Sequence, residues 1–90
     1  MAQAIHQPTA TLVGLAMAKL ILAIQKEFPQ VRLVPCEPIE REDIHLKAYL
    51  PIRPEERLAV LDRIVEIKIA VQDKYGVDTV VAVIPESGQA

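Results

Sequence analysis

Aromatic side chains are nearly missing from this sequence: Phe28, Tyr49 and Tyr75 are all it has, 3% of the chain. A binding surface for single-stranded nucleic acid needs rings for bases to stack on, so this shortage speaks against one. Positive charge is not in excess either, with ten Lys and Arg against twelve Asp and Glu and a net charge of −2. No basic cluster marks a phosphate footprint, and nucleic acid is not expected as a partner. Cysteine is reduced to Cys36 alone, which excludes an intrachain disulfide and a multi-cysteine zinc site and fits a reducing cytoplasm. Glycine occurs only at Gly14, Gly76 and Gly88, too few and too scattered for a phosphate-cradling loop. No GxSxG or HExxH is present, and Ser87, the only serine, has no histidine near it in sequence. Enzymatic activity is therefore the least favoured class, with no catalytic residue, metal ligand or cofactor assigned.

Long apolar runs are also lacking. The longest candidate, Leu12–Ile24, is broken by Lys19 and preceded by no Lys or Arg. It is far short of the ~20 apolar residues a bilayer requires. Neither a cleaved signal nor a membrane span is expected, and the chain reads as cytoplasmic.

What the chain does have is aliphatic surface. Hydrophobic residues make up 51% of its 90 positions, enough for one domain built from Leu, Ile, Val and Ala. Residues 1–8 read as a flexible start, with Gln3–His6 a weak candidate strand, residues 9–85 as a single α+β domain, and residues 86–90 as a polar tail. Thr9 or Thr11 can cap a first helix by accepting from a free backbone N–H, and Pro29 ends it near Glu27. Val31–Cys36 is rich in β-branched residues, with Pro35 pointing to a sheet edge or a bulge. After the charged loop Glu37–Asp43, Ile44–Leu50 alternates between apolar Ile44, Leu46, Ala48, Leu50 and polar His45, Lys47, Tyr49. A short polar connection makes these two strands an antiparallel hairpin. Pro54, Glu55 and Glu56 open a second helix, which Gly76 closes after Lys74. Thr79–Ile84 is a last, almost wholly apolar strand, parallel to its predecessor across the helix. The expected fold is an α-β-β-α-β two-layer sandwich, ferredoxin-like, with a three-stranded mixed sheet and two helices on one face.

Both helices carry more apolar surface than one core uses. At about 100° per residue, Val13, Met17, Leu20, Ile21 and Ile24 make the core face of the first helix. Leu15 and Leu22 fall on another side beside Lys19 and Lys26, with Leu12 just beyond the lysines. On the second helix Val60, Ile64, Ile67 and Val71 form one stripe, and Leu58, Leu61, Val65 and Ile69 a second. The last strand is apolar on both faces, with Thr79, Val81 and Val83 one way and Val80, Ala82 and Ile84 the other. Such a strand is usually covered on both sides. The expectation is a homo-oligomer, most simply a dimer, associating through Leu12, Leu15, Leu22, Val81 and Val83, with a further protein partner open.

Two polar groupings offer alternatives. Arg32, His45, Lys47 and Tyr49 can share one sheet face and hold an anion or small ligand. Cys36, Glu37, Glu40, Glu42, Asp43 and His45 lie close in sequence and include metal-ligating types, though in no known spacing. A solvated strand face and a charged turn account for both patterns without a ligand.

From Lys26 to Glu86, the stretches KEFPQVRLV, EDIHLKAYL, PEERLAVLDRIVEIKIAV and YGVDTVVAVIPE follow one another in an order that resembles the cytoplasmic C-terminal domain of cation diffusion facilitators. The resemblance implies a dimerising regulatory domain that binds divalent metal. Histidines which that family places in the first strand and early in the second helix have no counterpart in Arg32–Pro35 or Glu55–Leu58.

Overall fold

The computed structural model describes residues 9–39 and 42–86. The candidate strand Gln3–His6, the N-terminal segment, Glu40 and the tail beyond Glu86 lie outside the described residues. Within them the chain is α+β, two helices and a three-stranded mixed sheet of order β1-β2-β3.

Helix α1 (Ala10–Glu27) starts at Thr9, whose hydroxyl oxygen accepts from the Leu12 N–H at 3.1 Å. Thr9 is thus the cap, because its extended backbone leaves the hydroxyl facing the first free amides. Phe28 closes the helix, and the turn at Pro29–Gln30 leads into β1 (Arg32–Cys36). Strand β2 (Ile44–Leu50) pairs antiparallel with β1, setting Arg32 opposite Tyr49 and Cys36 opposite His45. The helix expected from Pro54 begins as a tight 3-10 turn, Pro54–Glu56, before α2 (Arg57–Tyr75). Such turns are common at helix starts, and here the Glu56 carboxylate accepts from the Arg53 N–H at 3.0 Å. Gly76 ends α2 in the left-handed region with φ 66°. Strand β3 (Thr79–Pro85) then lies parallel to β2, as its immediate neighbour.

The core follows the alternation of β2. Ile44, Leu46, Ala48 and Leu50 are buried while His45, Lys47 and Tyr49 are half-buried. Ile44 and Leu46 share one cluster with Ala16, Leu20 and Ile24 of α1 and with Ile67 and Val71 of α2. Val13, Met17, Ile21, Leu33 and Val81 pack against it. The helices are tied further by Arg63, which donates to Glu27 at 3.1 Å and to Glu66 at 2.9 Å. Those two hydrogen bonds, the one to Glu27 first, raise the Arg63 pKa above its ordinary value.

Candidate functional site

Pairing register decides which side chains meet. Directly opposed residues share a sheet face, so Arg32, Val34 and Cys36 of β1 stand with Tyr49, Lys47 and His45 of β2 and with Ile84, Ala82 and Val80 of β3. This is the face away from the buried β2 side chains. The four residues proposed for ligand binding are therefore brought onto one surface.

Their chemistry is already partly engaged. The Arg32 guanidinium lies 4.2 Å from the centre of the Tyr49 ring and bridges to Glu86 at 2.9 Å. A cation held by a ring and a carboxylate offers little to an incoming anion. His45 Nδ1 lies 3.2 Å from Glu42 Oε1. That contact lacks hydrogen-bond alignment, and the buried Nδ1 has no partner among the described residues. The same Glu42 oxygen accepts from the Ile39 N–H at 3.1 Å. Cys36 is a free thiol whose Sγ lies 3.6 Å from the Val34 carbonyl oxygen. Among the described residues no group of three or more His, Cys, Asp or Glu side chains converges as a metal site would demand. Lys47 is left as the one unengaged cation of the proposed four among the described residues.

The residues expected to mediate association divide into two groups. Leu15 and Leu22 stand out from α1, with Leu22 61% exposed, and Leu12 is half-buried. Val81 and Val83 carry their side chains on the face of Leu46 and Ala48, where Val81 packs on the core cluster. The side chains β3 shows to the opposite face are Val80, Ala82 and Ile84, all half-buried. What Val81 and Val83 do present outward is backbone. The Asp78 carbonyl accepts from Asp43 and Ile44, and the Glu86 N–H donates to the Leu50 carbonyl. Strand groups alternate in direction, so residues 80, 82 and 84 point at β2 and residues 79, 81, 83 and 85 point away from it. Gln72 Oε1 accepts from the outward Thr79 N–H at 3.1 Å, and Pro85 has no N–H to offer. Among the described residues, the outward N–H groups of Val81 and Val83 have no partner.

Beside that edge runs the second stripe of α2. Leu58, Val65 and Ile69 are 75%, 44% and 45% exposed. Val60 and Arg63 face α1, across from Phe28 and Glu27; the stripe lies on the opposite side of the helix, toward β3.

An open cleft of about 640 Å³ escaped the sequence reading. It lies where α1 ends and α2 begins, floored by Phe28, Leu50, Ile52 and Val60. Glu27, Glu55 and Glu56 rim it. The nearest signal was the pair of chain stops Phe28-Pro29 and Leu50-Pro51, which bring two apolar ends together. No described helix is long and apolar enough to cross a membrane.

No family model, curated protein or solved structure matches this chain. The resemblance in element order therefore carries no activity to these residues.

Proposed function

We propose that this chain is a small, non-catalytic assembly module that functions as a homodimer and presents a joint surface to a further protein partner. The observation that carries the reading is the uncharged edge strand β3 lying beside the exposed Leu58, Val65 and Ile69 of α2. Natural edge strands are usually blunted by charge, proline or a bulge. Strand β1, at the other edge, has Arg32 and Pro35; β3 has only its terminal Pro85. Exposed Leu15 and Leu22 add apolar surface on α1. The two-layer arrangement with both helices on one face belongs to this reading. It is ferredoxin-like in its layers alone, since β2 and β3 are direct neighbours. A cytoplasmic setting also belongs to it, resting on a single free cysteine.

Sedimentation velocity at micromolar concentration tests the proposal. A dimer is the expected species, and a monomer throughout the accessible range would refute it.

A further inference from the structure

We infer that the dimer forms by antiparallel pairing of β3 with β3 of a second copy, about a two-fold axis through Ala82, with the two α2 helices packed over the new seam. This inference rests on the proposed self-association and adds its geometry. The strand edge is complementary to itself. With Thr79 capped by Gln72 and Pro85 lacking a donor, the outward N–H groups without a partner among the described residues are those of Val81 and Val83. A two-fold axis at Ala82 sets Val81 opposite the partner's Val83 and Val83 opposite the partner's Val81. Each such pair exchanges both of its backbone hydrogen bonds. Small Ala82 sits at the axis, where the two strands meet side by side.

The helix meets the same symmetry independently. Gln72 contacts Thr79, which fixes the level of α2 against β3. Three strand residues from Thr79 to Ala82 advance about 10 Å at ~3.3 Å each. Along α2, running the other way, that distance is about seven residues at ~1.5 Å each. The axis thus passes level with Val65, the middle of the apolar stripe. Leu61 and Ile69 stand four residues to either side, so Leu61 meets the partner's Ile69 and Val65 meets the partner's Val65. Charge agrees as well. Asp62 and Lys68 stand three residues before and after Val65, and neither has an ion-pair partner among the described residues. The axis brings Asp62 level with the partner's Lys68, and Lys68 level with the partner's Asp62. A second copy is therefore the occupant, because strand, stripe and charges each match their own image about one level.

A charge exchange tests it. Asp62→Lys alone and Lys68→Asp alone each place like charges across the seam, and each is expected to weaken dimerisation roughly tenfold. The double change D62K/K68D restores opposite pairs and should return to within about threefold of the unaltered chain. In the unaltered protein, the amides of Val81 and Val83 should exchange at least about tenfold more slowly when the dimer predominates than after dilution. A chain that never dimerises removes this inference together with the functional proposal. A dimer indifferent to both charge changes, or one that leaves those two amides unprotected, overturns this geometry only, and moves association to another surface such as Leu15 and Leu22.

Discussion

Gly14 and Gly76 answer opposite backbone demands. Gly14 lies inside α1, and a Cβ built there meets nothing within 4 Å. Gly14→Ala is expected to stabilise the fold by about 0.5–1 kcal/mol, since glycine in a helix interior retains more freedom to lose. Gly76 holds φ 66°, a region where a side chain is strained. Gly76→Ala should cost about 1–2 kcal/mol, and thermal melts of the two variants should shift in opposite directions. Arg32 looks well anchored, on Tyr49 and on Glu86 across 54 residues of chain. Its side chain is 61% exposed, however, and solvent screens such contacts. Arg32→Ala is expected to change stability by no more than about 1 kcal/mol in a denaturant titration.

Elements were legible where one periodicity dominated. In α1 the arc of Leu20 and Ile24 is buried and that of Leu15 and Leu22 is exposed, as a 3.6-residue period requires. Leu20→Ala should cost about 2–5 kcal/mol of stability, whereas Leu22→Ala should cost less than about 0.5 in the monomer. A urea titration at low protein concentration separates the two. Strand β2 was equally plain, because apolar and polar residues alternate along it without a break. Strand β3 was not. Valine, alanine and isoleucine occupy both of its faces, so nothing in the residues says which set meets the helices. The register with Leu46 and Ala48 supplies that answer. The outward direction of the Val81 and Val83 backbone was likewise hidden, since it depends on strand register and on the neighbouring Gln72. The proposed ligand face was foreseen as a set. Engagement of Arg32 by Glu86 was not, because a contact that distant has no local signature.

At the scale of the whole molecule, the sheet is thin and unequally protected. Among the described residues only β2 has a hydrogen-bonded neighbour on each side. The two neighbours differ in origin: β1 comes from the adjoining hairpin, while residues 51–78 separate β2 from β3. Closing that longer span costs chain entropy before any of its contacts form. Folding is therefore expected to have an order in time, with the hairpin early and the arrival of β3 late. Val83→Ala is accordingly expected to accelerate unfolding in stopped-flow traces while leaving the refolding rate nearly unaltered. On that order β3 is also the strand expected to detach first, and an assembly built on it is expected to dissociate before the remainder of the domain melts.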